Sequence, residues 1–455
     1  MNQKIPLFSL VLLIVAAIDS IRTLPTSALF GSSLVFLFIL SALFFLIPVA
    51  LVSAELASRY PKEGGIYYWI QHAFGARMGT FAVWLQWINT MVWYPTMLLF
   101  IAGTAAYLIN PALATNRWFL LGFALFTFWG LTFLNLRGIR VSARLNAFCG
   151  TIGTIVPMLF LIALGAAWVF LGHPVAISFE RMIPSFDLGA NGIALVTIMA
   201  SFLGMELAGV HVSDIENPQK NFPKAIGLSV LILLATLILG ALAVAIVIPT
   251  ADIQYVNGVM QTFSLFFNAF HMPVLIPVLA LLIIVGSVGG SVNWLLSPAK
   301  GLLQAAEHGF LPKYFVQTNR HGTAVRILVA QAVLVSVFCL GMQLMPSVNS
   351  FYWFLMALST GLYMVMYILL FLAALKLKRT DQGYQIPKGI RTASCLAGLT
   401  GCIMTIIVGF EPPPDVVIQN KLQYALTIGA GFVLMILPVL LLFAYQRKQK
   451  TRWTA

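Results

Sequence analysis

Apolar residues along this chain come neither in strict alternation nor in short amphipathic stretches. They gather into long runs, many of 18 or more residues, separated by brief segments where Lys, Arg, Asn, Pro and Gly collect. About 20 apolar residues in a helix cross the hydrocarbon core of a bilayer, and a helix satisfies its own backbone hydrogen bonds where no water can. Twelve spans are predicted, at about 6–31, 34–58, 79–109, 117–136, 146–171, 190–212, 223–249, 273–306, 326–346, 350–377, 393–411 and 420–446. The longest exceed what an upright helix needs, which implies tilt, a break or extension into water. The expected fold class is an all-α polytopic membrane protein, with residues 1–455 forming one transmembrane unit.

Two of the runs are interrupted. In the first, Ala16-Ala17-Ile18-Asp19-Ser20-Ile21-Arg22-Thr23-Leu24-Pro25 places an acid and a base in mid-span. Each costs roughly 2.5–3.5 kcal/mol at a helix centre on insertion scales, so such charges mark pathways or pair with one another. Pro25 lacks a backbone donor and is expected to push Leu24 out of the helical region, which predicts a broken helix facing a polar cavity. Asp19 and Arg22 can pair along a surviving turn, or meet a substrate or proton; both readings stand on sequence. The sixth run carries Ala200-Ser201-Phe202-Leu203-Gly204-Met205-Glu206, where glycine permits a non-helical backbone and Glu206 is either a brace or a site residue. The two interrupted runs are five spans apart. Five is odd, so the second crosses the membrane in the opposite sense, the pattern of an inverted-repeat transporter. Residues 6–171 and 190–377 would form the two five-helix repeats, with 393–446 outside them.

Composition sharpens the class. The chain is 60% apolar and 9% charged, against about 25% charge in soluble domains. Its net charge of +13 would suit nucleic acid in a soluble protein. Here the distribution assigns it to topology. Of 26 Lys and Arg residues, Arg117, Arg181 and Lys421 fall in segments assigned outside, Arg22 lies within the membrane, and the rest fall inside. The positive-inside rule then puts both termini in the cytoplasm. No small-residue cleavage site follows the first run, which reads as a retained span. The lipid bilayer is the expected partner, and nucleic acid is not; the basic tail from Gln446 to Ala455 suits anionic lipid. Cys149, Cys339, Cys395 and Cys402 lack ligand spacing, and no nucleotide loop or nucleophile–base pair stands out, so neither an enzyme nor a cofactor is expected.

Several stretches carry a resemblance. They are Ser53-Ala54-Glu55-Leu56-Ala57 leading to Gly64-Gly65 and Trp69; Asn135-Leu136-Arg137-Gly138 running to Arg144; and Glu216-Asn217-Pro218 with Pro223 and Ala225. Gly309-Phe310-Leu311-Pro312 with Asn319 and Gly322, and Gly258-Val259-Met260-Gln261-Thr262-Phe263, complete them. Together they resemble the amino acid–polyamine–organocation superfamily, most of all its bacterial glutamate/GABA antiporter branch. The resemblance implies a LeuT-type 5+5 inverted repeat with helices 1 and 6 broken, in a bacterial inner membrane. It implies an alternating-access antiporter whose substrate, a small amino acid or amine, lies between the breaks. Proton- or cation-coupled symport is the alternative, and a non-transporting receptor or partner-dependent subunit is a third reading.

The candidate substrate-binding residues are Asp19, Ser20, Ile21, Arg22 and Thr23 of the first break, and Ser201, Phe202, Gly204 and Glu206 of the second. Asn293 and Trp294 join them from span eight, and Tyr363 and Tyr367 from span ten; the resemblance places Trp294 at the substrate site and the tyrosines toward the pathway. There is a departure as well. Gly290 stands where that branch carries an acidic residue. Residues 146–157 hold no lysine of the kind some proton-coupled relatives place in span five, which is consistent with exchange.

Overall fold

The computed structural model describes residues 5–60, 65–137, 151–177, 196–207, 215–307, 311–320, 322–378, 384–412 and 420–453, with a few single positions between them. The beginnings of the fifth and sixth predicted spans and the 138–148 loop lie outside the described residues. The architecture among those residues is helical. Eleven helical segments are long and apolar enough to cross a membrane, and the sixth predicted span is described as a shorter apolar helix, Val196–Leu207.

The chain begins with α1 (Leu7–Ile18), a break, and α2 (Leu24–Ala28). Helices α3 (Leu34–Ser41) and α4 (Ile47–Arg59) are joined through a π turn at Ala42–Leu46. Next come α5 (Ile66–Phe74), α6 (Ala76–Ile109), α7 (Arg117–Leu136) and α8 (Val156–Phe170), the last preceded by a π turn at Thr151–Ile155. Helix α9 is Val196–Leu207. It is followed by α10 (Pro218–Ala245), α11 (Gly258–Ala269), α12 (Leu275–Glu307), α13 (Val325–Gly341), α14 (Val348–Lys376), α15 (Lys388–Val408) and α16 (Lys421–Trp453).

Helix α6 is the central column, packed along much of its length against α12 and α14. The large aromatics Trp69, Tyr94, Tyr352, Trp353, Tyr363 and Tyr367 are fully buried around it. Phe126, Phe170, Leu344 and the Leu-rich face of α16 point outward, as lipid-facing residues of a spanning helix do. Close helix approach is bought with small residues. A methyl on Gly286 of α12 would collide with the main chain of Gly153 in the π turn before α8, and one on Gly153 with that of Gly286.

One corner is tied electrostatically. At the end of α4, buried Glu55 pairs with Arg59 at 3.2 Å and with Arg391 of α15 at 3.5 Å. Arg391 Nη2 also donates to the carbonyl of Leu377 at 3.0 Å and to that of Ala374, while Arg59 Nη2 donates to the carbonyl of Lys378. Two arginines thus cap the orphan carbonyls where α14 ends, a position that favours cations.

Candidate substrate cavity

The first helix stops where the sequence predicts, but for a different local reason. Asp19 caps α1 by donating its N–H to Val15 O at 2.7 Å, then turns extended at φ −61°, ψ 120°. Ser20 continues extended at φ −137°, ψ 109°, and a 3-10 turn over Ile21–Thr23 leads into α2. Leu24 is helical, at φ −61°, ψ −44°, contrary to the expectation that Pro25 would force it out. Pro25 instead occupies the first turn of α2, where an N–H has no helical acceptor and its absence costs nothing. The proline starts the second half-helix; Asp19 and Ser20 make the gap. Backbone N–H groups at the start of a helical turn have no partner within it, which leaves donors of this break open to a ligand.

In the second break, Ser201 returns its hydroxyl to Ile198 O at 2.6 Å and Phe202 closes a turn on Met199 O at 3.1 Å. Gly204 then adopts φ +107°, a left-handed conformation that an L side chain resists. Its N–H donates to the Tyr367 hydroxyl at 3.1 Å, and Leu207 N–H closes on Gly204 O at 3.0 Å.

The breaks in α1–α2 and α9 meet at one cavity of about 90 Å³. Of the candidate site residues, Asp19, Ser20, Ile21, Arg22, Thr23, Ser201, Trp294 and Tyr363 line it. Phe202, Gly204, Glu206 and Tyr367 do not. Phe202 is fully buried against Phe38, with ring centroids 5.8 Å apart. Gly204 backs onto the Trp294 ring, 3.4 Å from where its Cβ would be. The backbone of Asn293 lies in α12, but its side chain is outside what the structure describes.

Asp19 and Arg22 do not form an ion pair among the described residues. The extended backbone between them removes the common helix face that their spacing would give. Arg22 is 6% exposed; its Nη1 donates to Thr96 Oγ1 at 3.0 Å and to the Tyr352 hydroxyl at 2.9 Å. Its guanidinium lies 5.1 Å from the Trp93 ring centroid, and Trp93 lies 5.4 Å from Trp294. The cation therefore caps an aromatic wall. Asp19 has no such support. It is 4% exposed and neither carboxylate oxygen has a hydrogen-bond donor. Thr236 of α10 is its neighbour, yet the threonine hydroxyl donates to Ile232 O at 3.0 Å. A carboxylate buried with no counter-charge costs several kcal/mol.

Glu206 is the opposite case. Oε1 accepts from the Tyr363 hydroxyl at 2.5 Å and from Gln86 Nε2 at 3.4 Å, and Oε2 accepts from the Tyr367 hydroxyl. This carboxylate, 1% exposed, ties α9 to α6 and α14 behind the cavity, as the brace reading holds. The tyrosines thus divide their work: Tyr363 reaches both Glu206 and the cavity, whereas Tyr367 holds the break in shape.

Sequence reasoning missed part of the wall. Asn89, Thr90, Met97 and Phe100 of α6, Thr154 of the π turn, and Gly286, Ser287 and Gly290 of α12 also line the cavity. A signal for the α6 share was present: Gln86, Asn89, Thr90 and Trp93 recur at helical spacing as a polar stripe within an apolar run. Among the described residues no group of three or more His, Cys, Asp and Glu is placed to hold a metal.

Comparison with known proteins identifies the family. The model of the amino acid permease family matches residues 5–433. An uncharacterized transporter of Legionella pneumophila is 42% identical over 442 residues, covering 96% of this chain and 95% of the relative. A glutamate/gamma-aminobutyrate antiporter of Lactococcus lactis subsp. lactis is 32% identical over 95% of this chain and 89% of its own length. The corresponding antiporter of subsp. cremoris is 31% identical, over 98% of this chain and 92% of its own length.

Proposed function

This chain belongs to the amino acid permease family of the amino acid–polyamine–organocation superfamily, and from that membership we propose that it is an alternating-access amino acid antiporter. It is a membrane transporter of small amino acid or amine substrates rather than an enzyme. One observation carries the antiport site: two helix breaks converge on a single cavity that Asp19 lines, its carboxylate buried and without a hydrogen-bond donor. In this reading the protein has twelve spans, both termini in the cytoplasm of a bacterial inner membrane, repeats at 6–171 and 190–377, and two further helices at 393–446.

The proposed chemistry is recognition without covalent change. A substrate zwitterion brings an ammonium and a carboxylate. The ammonium is drawn to Asp19 and to the carbonyls freed where α1 ends, and the carboxylate to the open N–H donors of the first break and to Arg22. Each group replaces lost hydration with fixed dipoles, so an empty site is poorly neutralised and a loaded one is balanced. That asymmetry favours passage when loaded over passage when empty, which is the requirement for exchange. Ser201, Trp294 and Tyr363 complete the walls, while Gly204, Glu206 and Tyr367 set the shape of the second break.

Uptake coupled to a proton or another cation is the second reading. It draws support from Asp19, whose oxygens lack any donor and so suit a travelling positive charge. Purified protein in liposomes separates the two. Labelled amino acid should enter only vesicles loaded with a counter-substrate. Equal uptake into empty vesicles under a pH or sodium gradient would replace antiport with symport, and no movement of any amino acid or amine would remove the transport reading.

A further inference from the structure

We propose that Asp19 is a proton-exchange site: in the empty transporter its carboxyl is held as a neutral acid against Thr236, and a substrate's ammonium takes the proton's place. This rests on the amino acid transport reading above and adds to it a proton given up for each substrate bound. Asp19 lines the cavity, yet both of its carboxyl oxygens are shut off from water. They lie by Thr236 of α10, which is not part of the cavity lining. The hydroxyl there does nothing for an anion. Its proton goes to the carbonyls of Ile232 at 3.0 Å and Leu233 at 3.3 Å, so the oxygen offers Asp19 lone pairs alone. A carboxylate and an acceptor-only oxygen repel, and buried Leu233 and Leu237 flank Thr236 along α10. A hydrogen between the two oxygens removes the conflict. The acid donates, the hydroxyl accepts, and no buried charge is left uncompensated.

Among the described residues no counter-charge pairs with Asp19. Helix α10 and the π turn at Thr151–Ile155 pack against α1, and neither the turn nor α10 from Ala225 to Ala245 has a titratable side chain. Helix α12 from Leu275 to Ala299 has none either. Arg22 is committed to Thr96 and Tyr352, and Glu206 to Gln86 and two tyrosines.

Substrate changes the balance. Asp19 sits on extended backbone where α1 ends, and rotation about its Cα–Cβ bond carries the carboxyl into the cavity it already borders. The O–H bond breaks, the proton passes to water, and the carboxylate pairs with the ammonium; nothing is oxidised or reduced. With the substrate's carboxylate on Arg22 the loaded site is neutral overall, whereas the empty one holds the charge of Arg22 alone. The free protein then binds one proton more than the complex. By linkage, affinity rises with pH until Asp19 is ionised in the free protein, and then levels off.

The test is calorimetry on full-length protein in detergent, screened with the common amino acids and gamma-aminobutyrate, the tightest binder serving as probe. Titrations in phosphate and in Tris, whose ionisation enthalpies differ, count the protons exchanged on binding. On the rising limb of the pH profile wild type should release about one proton per substrate, with affinity climbing up to about tenfold per pH unit. D19N should bind more weakly, release none and lose the pH dependence. T236V deprives the neutral acid of its acceptor and should shift the plateau to lower pH, while T236S should keep it in place. Should D19N bind too weakly to measure, the wild-type profile and the Thr236 pair carry the test. Unchanged release in D19N, wild-type affinity indifferent to pH, or proton uptake on binding overturns the proposal, as does a T236V plateau that does not move. Wild type that binds none of the probes fails the transport reading instead, so the two failures are distinguishable.

Discussion

Replacing Tyr367 by Phe removes one oxygen and leaves two buried partners stranded. Glu206 Oε2 loses its tyrosine donor, and the Gly204 N–H loses its acceptor. A hydrogen bond to a charged group contributes about 1.5–3 kcal/mol, and an orphaned buried N–H costs about 1–3 kcal/mol. Tyr367→Phe should therefore destabilise the protein by roughly 2.5–6 kcal/mol. Tyr363→Phe also removes two bonds, one donated to Glu206 Oε1 and one accepted from Gln86 Nε2 at 3.2 Å, but those two partners retain each other at 3.4 Å. That loss should stay near about 1.5–3 kcal/mol. Both rings are fully buried and phenylalanine fills the same hydrocarbon volume, so cavity formation does not confuse the comparison. Thermal unfolding of the two variants in one detergent, followed by tryptophan fluorescence, ranks them directly. Tyr367→Phe should melt lowest, and Tyr363→Phe should show the larger defect in exchange among the folded molecules, because Tyr363 also lines the cavity. Were Tyr367→Phe to melt with the wild type while Tyr363→Phe melted lower, the assignment of Tyr367 as the clasp of the second break would be wrong.

Three further outcomes follow from the same geometry. Asp19→Asn discards a charge with no partner, so melting should hold or rise while affinity for substrates bearing an ammonium falls at least tenfold; unchanged affinity by calorimetry removes Asp19 from the site. Arg22→Lys cannot reproduce the planar contact with Trp93 together with the bonds to Thr96 and Tyr352, and exchange should fall about tenfold, an expectation that wild-type rates would refute. Gly286→Ala should destabilise by about 1–3 kcal/mol through its clash with Gly153, measured against Gly290→Ala, which should be neutral or stabilising; equal melting temperatures would dissolve the contrast between the two glycines.

How much of this could be read from sequence differed by residue. The break at Asp19 was legible because two charges within an apolar run must either pair or mark a pathway, and Gly204 because glycine before a buried acid signals a special backbone. Pro25 was misassigned: the rule that a proline displaces the residue before it yielded to the turn of Ile21–Thr23, which delivers Leu24 already helical. The Asp19–Arg22 pairing failed for a related reason, since a spacing of three places side chains together only while the chain stays helical between them. Glu206 was read as either a brace or a site residue and Tyr367 as a pathway residue; their place behind the cavity depends on tertiary packing that no spacing encodes. The contact between Gly153 and Gly286 was invisible for the same reason, as was the open space at Gly290. In each case the missing information is which face of one helix another helix covers.

Helix α14 carries a consequence of its own. Tyr352 near its start holds Arg22, Tyr363 and Tyr367 at its middle hold Glu206, and the carbonyls of Ala374, Leu377 and Lys378 at its end hold Arg391 and Arg59. From Tyr352 to Leu377 the helix rises about 38 Å at 1.5 Å per residue. A rod pinned at three heights cannot tilt at one without straining the others. The clamp on the arginine, the clasp on the second break and the knot at α4 and α15 therefore form a single mechanical register: loosening Arg391 should be felt as a slackened grip on Arg22, at the far end of the same helix.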